Sequence, residues 1–147
     1  MERAVRITEQ GGPEVIQWID VDLPPPGPGE VRMRNTAVGL NFIDTYHRGG
    51  VYKMQMPSGL GVEAAGFVEA VGDGVTEYKV GDRVCTFGLA VGAYATARNI
   101  PAALLFHVPD DVSDEAAAAA ILKGCTTEFL VERCATLLAG DVVLVHA

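Results

Sequence analysis

The stretch Met56-Pro57-Ser58-Gly59-Leu60-Gly61-Val62-Glu63-Ala64-Ala65-Gly66-Phe67-Val68-Glu69-Ala70-Val71 decides how the chain is read. Its centre, Gly59 to Ala64, has the G-x-G-x-x-[GA] spacing of a dinucleotide-binding turn. That turn must follow a strand and open a helix, because the pyrophosphate rests on free N–H groups at a helix N-terminus. Here the spacing follows Met56-Pro57-Ser58 and runs into Ala64 to Val71, a strand-like segment closed by Gly72-Asp73-Gly74. The glycines therefore belong to a loop entering a β-strand, and a β-fold is expected around it.

The neighbouring segments agree. Arg3 to Thr8 alternates apolar and polar residues, and Val15 to Val21 is β-branched and aromatic. Pro24 to Gly29 is a rigid proline-rich turn that neither a helix nor a central strand tolerates. Glu30 to Val38 alternates again, and Asn41 to Arg48 fits one or two helical turns ended by Gly49-Gly50. Gly81-Asp82-Arg83-Val84 starts another strand, and Ala93 to Ala97 and Leu104 to Val108 complete the set. Many short strands with regular punctuation predict a small barrel or sandwich.

Beyond residue 112 the character changes. Ser113 is a good N-cap, with Asp114 and Glu115 in the first turn, and Ala116 to Lys123 is a strong helix former. Gly124 is expected to break that helix. A second one, capped by Thr126 or Thr127, would carry Leu130, Cys134, Leu137 and Leu138 on one face and end at Gly140. Val142 to Val145 reads as a parallel strand buried on both faces. A lone parallel strand has nothing to pair with, so the chain is expected to be truncated after Ala147, inside an α/β domain.

The chain has 147 residues, 49% hydrophobic and 20% charged, enough for one core. A net charge of −8 argues against nucleic acid, whose phosphates need a basic face. The N-terminus lacks the apolar core of a signal peptide, and the longest apolar run, Ala116 to Leu122, is too short to span a bilayer. Cys85, Cys125 and Cys134 are widely spaced and odd in number, which reads as reduced, mostly buried thiols of a cytoplasmic protein. His47, His107 and His146 show no metal-ligand spacing, and no Ser–His–Asp or Cys–His set suggests hydrolysis.

Five segments in order carry a family resemblance: Gly11-Gly12-Pro13-Glu14-Val15, Gly39-Leu40-Asn41-Phe42-Ile43-Asp44-Thr45-Tyr46, Pro57 to Gly66, Gly81-Asp82-Arg83-Val84 and Leu122-Lys123-Gly124. The chain resembles the quinone oxidoreductase (zeta-crystallin-like) branch of the medium-chain dehydrogenase/reductase superfamily. The resemblance implies a mostly β GroES-like domain over 1–112, then the first helices and first strand of a truncated Rossmann α/β domain over 113–147. It further implies hydride transfer from NADPH to a quinone, or in related enzymes to an enone or enal C=C bond. Full-length members are typically homodimers. A non-catalytic GroES-like binding module is the alternative for a chain of this length.

By the same resemblance, positions that hold zinc in metal-dependent relatives carry Asn41 and Val62 here, with only Glu63 and Cys125 at matching places. One thiolate cannot hold Zn²⁺ in a tetrahedral site, so no zinc is expected. Cys125 then reads as a small apolar residue. The resemblance lays Asn41, Phe42, Ile43, Asp44, Thr45 and Tyr46 along the nicotinamide, with Thr126 and Phe129 touching the cofactor. Asn41 can bond cofactor or substrate, or simply cap a turn. Tyr46 and Tyr52 offer a ring to pack on a quinone and a hydroxyl for its carbonyl. Lys123 can meet cofactor phosphate or stay solvated, and Glu63 reads as an anchor of its loop through backbone hydrogen bonds.

Overall fold

A computed structural model describes residues 1–88 and 90–146; Ala147, on which the expectation of truncation turns, lies outside them. Strands β1 (Glu2–Arg6) and β2 (Gln17–Val21) form an antiparallel hairpin. Five more strands, β3 (Glu30–Gly39), β4 (Glu63–Val71), β5 (Arg83–Phe87), β6 (Ala97–Pro101) and β7 (Phe106–His107), form one sheet in the order β6-β3-β4-β5-β7. Every pairing in it is antiparallel. Helix α1 (Phe42–Gly49) joins β3 to β4, and α2 (Asp114–Glu128) follows the sheet.

Strand β4 organises the core because both of its faces are covered. Ala64 and Val68 pack with Val31, Met33, Val84 and Ile100 on one side. Ala65 packs with Cys85, Val108, Ala117 and Ala118 on the other, so α2 covers the second face. The small side chains of that second cluster let the helix backbone approach the sheet closely. Ser113 caps α2 by accepting from the Ala116 N–H at 3.1 Å. Arg83 on β5 holds the first turn through Asp114 at 2.6 Å.

The loop that opened the reading does enter a strand. Gly61 has φ +87°, and a Cβ there would meet the Tyr94 ring. Its carbonyl accepts from the N–H groups of Gly92 and Ala93, and the Leu60 carbonyl accepts from Tyr94.

Three sequence expectations are corrected. The run Ala93 to Ala97 is not itself a strand: it bridges to β1 through Ala4↔Ala95, and the strand is Ala97–Pro101. Pro101 is tolerated at the end of an edge strand. Gly124 does not break α2, which runs on to Glu128 and into a π-helical turn, Phe129–Cys134. Glycine costs only about 1 kcal/mol in a helix interior, and neither Thr126 nor Thr127 caps a new helix; their hydroxyls bond the Leu122 and Lys123 carbonyls four residues back. The expected helix to Gly140 and strand Val142 to Val145 are absent: residues 135–138 and 141–146 have no regular structure. Val142 is 98% exposed and Leu144 78%, because a buried-type strand without neighbours has no ladder to join.

Candidate active site

Strand β3 ends at Gly39, two residues before Asn41 and the start of α1. The Asp44 carboxylate closes the first turn of α1 by accepting from the Asn41 N–H at 3.0 Å. The Asn41 side chain, buried to 9% exposure, is thereby free for other partners. Its Nδ2 donates to Glu63 Oε2 at 2.8 Å, and its Oδ1 accepts from Lys123 Nζ at 2.7 Å. Lys123 Nζ also donates to Glu63 Oε2 at 2.8 Å, which closes a three-membered ring of side chains. The other carboxylate oxygen accepts from the Leu122 backbone N–H at 2.8 Å.

Glu63 is fully buried, and a buried charge is stable only when paired and hydrogen-bonded. It has both kinds of support, and with them it ties the entrance of α1 and the middle of α2 to the start of β4. Gly39 makes room for this: a Cβ there would run into the Glu63 carboxylate and the Ala118 carbonyl. Glu63 was expected to anchor its loop through backbone hydrogen bonds; it anchors instead α2 and the entrance of α1, with one backbone donor and two side chains.

A cavity of about 460 Å³ opens beside the ring, lined among others by Asn41, Phe42, Ile43, His47, Val62 and Leu122. From Phe42 in its lining, a chain of rings runs outward: Phe42 and Tyr46 meet edge to face at 5.3 Å between ring centroids, and Tyr46 meets Tyr52 at 5.8 Å. Tyr52 is also 5.8 Å from the His47 ring. Phe42 is 74% exposed and Tyr52 49%, so the aromatic faces are open to a flat ligand. Nδ1 of His47 is buried without a partner among the described residues.

The structure therefore brings together Asn41, Phe42, Ile43, Tyr46 and Tyr52, sets Asp44 and Thr45 on a second cavity that Asn41 and Phe42 also line, and leaves Thr126 and Phe129 outside both. Asp44 is buried, its Oδ2 accepting from the Tyr94 hydroxyl at 2.6 Å as well as from the Asn41 N–H. Burial, then that carboxylate, push the Tyr94 hydroxyl well above the usual tyrosine range, so it stays a donor. Thr45 lines the second cavity, of about 240 Å³, with Asn41, Phe42, Asp44, Arg48 and Tyr94, and its hydroxyl donates to the Phe42 carbonyl. The Thr126 hydroxyl is likewise engaged within its own helix, and Phe129 is 53% exposed at the end of α2. His47 lines the cavity although sequence reasoning left it outside the site, and Lys123, read as meeting cofactor phosphate or staying solvated, instead bonds Asn41 and Glu63. Lys123 could have been found from Leu122-Lys123-Gly124 had the buried Glu63 been recognised as needing a cation.

Cys85 and Cys125 share a different, apolar groove of about 390 Å³ between α2 and the β5–β7 edge. Burial pushes the Cys85 thiol up, which keeps it unreactive. Cys134, expected on the apolar face of a second helix, is exposed at the end of the π-helical turn. Among the described residues, no cluster of three or more His, Cys, Asp or Glu is placed to hold a metal ion, and no helix is long and apolar enough to cross a membrane.

Residues 27–110 match the family model of the alcohol dehydrogenase GroES-like domain. The chain belongs to this family. Its GroES-like domain is similar over the whole 147-residue chain to relatives of known name. One is a quinone oxidoreductase from Pseudomonas aeruginosa, 47% identical over 100% of this chain and 46% of the relative. Another is a 2-haloacrylate reductase from a Burkholderia species, 44% identical over the same shares. The solved structure of Escherichia coli quinone oxidoreductase complexed with NADPH superposes with a TM-score of 0.88 at 42% identity, over 91% of this chain and 41% of that one. The chain thus spans under half the length of the relatives it matches, and the quinone oxidoreductase resemblance holds in sequence and in fold.

Proposed function

We propose that this chain is the acceptor-side half of an NADPH-dependent reductase that transfers hydride to a quinone. The observation that carries the proposal is the cavity of about 460 Å³ with the fixed amide of Asn41 and the open ring of Phe42 in its lining, and the rings of Tyr46 and Tyr52 continuing from Phe42. An apolar slot with one fixed amide, whose Oδ1 keeps a lone pair beside the Lys123 bond, suits a flat ring bearing a carboxamide that donates to it.

The residues fit the nicotinamide end of the cofactor. They do not serve its pyrophosphate: both helices carry acids in their first turns, Asp44 in α1 and Asp114 and Glu115 in α2, which repel phosphate. When bound, the reduced nicotinamide supplies the hydride, and the protein contributes orientation and a dry slot. In this reading Tyr46 and Tyr52 hold the acceptor, Asn41 and the backbone of Phe42 and Ile43 border the nicotinamide, and Thr126 and Phe129 lie on its far side. Residues 1–112 form the GroES-like domain, residues 113–147 lead into a dinucleotide-binding domain, and the whole protein is a homodimer.

A second reading, reduction of an activated C=C bond, is favoured by the 2-haloacrylate reductase relative, which matches the chain almost as closely. Steady-state rates of the protein encoded by the complete reading frame, with NADPH and either a quinone or a 2-haloacrylate, separate the two. A kcat/KM at least tenfold higher for the quinone supports the first reading, and the reverse ratio supports the second. The isolated 147-residue chain is expected to oxidise no NADPH with either acceptor.

A further inference from the structure

We propose that the Lys123 ammonium is the electrostatic catalyst of the acceptor, the group on which the oxyanion formed by hydride addition rests. The inference builds on the reductase reading and adds a residue to it. An ammonium has three N–H donors. Two are committed, to Asn41 Oδ1 at 2.7 Å and Glu63 Oε2 at 2.8 Å. The third has no partner among the described residues, and the side chain is 51% exposed beside a carboxylate that is wholly buried. Its two neighbours in the ring and the chain, Asn41 and Leu122, line the cavity of about 460 Å³. A cation is thus fixed by an amide and a carboxylate from two other elements, 2.7 Å from the oxygen of a residue that lines the cavity.

That fixation argues against a reach toward cofactor phosphate, which calls for a long, freely extending lysine. It suits a site where charge appears during reaction, because a pre-oriented charge needs no reorganisation then. The balance is simple. Reduced nicotinamide, when bound, would supply a hydride with its electron pair and leave as the oxidised ring, and that hydride would add to the conjugated acceptor. The displaced π pair comes to rest on the carbonyl oxygen as an enolate or aryloxide. Lys123 donates a hydrogen bond to that oxygen and keeps its proton; water supplies the proton that completes the product. The same step serves quinone and enone, so the assignment does not depend on which is the substrate.

The test uses the protein encoded by the complete reading frame and 4-nitrophenol, a phenol whose anion is visible by absorbance. Bound to the unaltered protein without nicotinamide, its apparent pKa is expected about one unit below the free value, as beside a fixed cation. Lys123→Met abolishes the shift, Lys123→Arg retains it, and Glu63→Gln deepens it by leaving the cation uncompensated. A merely structural bracket would lose the site in Glu63→Gln, so that variant decides the matter if Lys123→Met folds poorly. In turnover with NADPH, Lys123→Met is expected to lower kcat about 10- to 100-fold, less than for a sealed oxyanion hole because Lys123 is half-exposed. The KM for NADPH should change less than about twofold. No shift in the unaltered protein, or an equal shift in Lys123→Met, overturns the assignment. A Lys123-dependent shift in a protein that reduces no quinone or enone keeps the anion site and sinks the reductase reading alone.

Discussion

Glu63 shows how one residue can order three elements. Its carboxylate is wholly buried yet accepts from Asn41, Lys123 and the Leu122 N–H, so its removal strands the two side-chain donors together. Glu63→Ala is expected to lower unfolding stability by about 2–4 kcal/mol, toward the cost of breaking a buried ion pair but moderated by the exposure of Lys123. Urea titration of the 147-residue chain measures it, and a loss below about 1 kcal/mol would remove Glu63 from the list of folding determinants. Glu2 acts at the surface by a pH-dependent route. Hydrogen bonds from Arg34, at 2.6 Å, and then Thr96 hold its carboxyl down at about 2, from 4.5. A depressed carboxyl stabilises the fold above its unfolded value and ceases to as pH falls from about 4.5 to about 2. Glu2→Gln should therefore cost about 1 kcal/mol at pH 7, as for a networked surface pair, and nothing below pH 2. Melting curves across that range should converge at the acid end; parallel curves would contradict the assignment.

At the scale of elements, α2 is the piece whose docking makes the site, since Leu122 and Lys123 reach Glu63 only when it lies on β4. Its N-terminus is held twice, by the Ser113 cap and by Arg83 to Asp114. Ser113→Ala is expected to cost about 1 kcal/mol, the usual value of an N-cap. Amide exchange should report the loss first in residues 114–118, and uniform acceleration over the whole chain would instead show that α2 and the sheet open together. Much of this helix was legible: the cap, the acidic first turn and the alanine run predict its start to the residue. Its end was not, because Gly124 and the threonines after it read locally as a break. The helix continues through them since Gly124 is solvent-facing and both threonine hydroxyls find carbonyls of the same helix.

For the molecule as a whole, the apolar groove of about 390 Å³ beside α2 and the bare run Val142 to Val145 leave hydrophobic surface uncovered. Uncovered strand-forming segments pair with whatever backbone is available. The 147-residue chain is expected to self-associate as its concentration rises, and a version ending at Cys134 to do so markedly less. Sedimentation velocity distinguishes them, and two equally monomeric chains at millimolar concentration would show that the run is harmless. Most of what could be read from sequence is of local origin. The alternation in β1 and β3, the Pro24 to Gly29 turn, the entry of Gly59 to Ala64 into a strand and the cap at Ser113 each follow from the conformational preferences of a few adjacent residues. Tertiary structure decided the rest, because it depends on partners distant in the chain. Ala97–Pro101 became the edge strand only because β3 was there to pair with it. Val142 to Val145 stayed unpaired for want of a neighbour. Lys123 entered the site because a buried carboxylate sixty positions earlier requires a cation, a demand of low-dielectric packing that no window of adjacent residues can express.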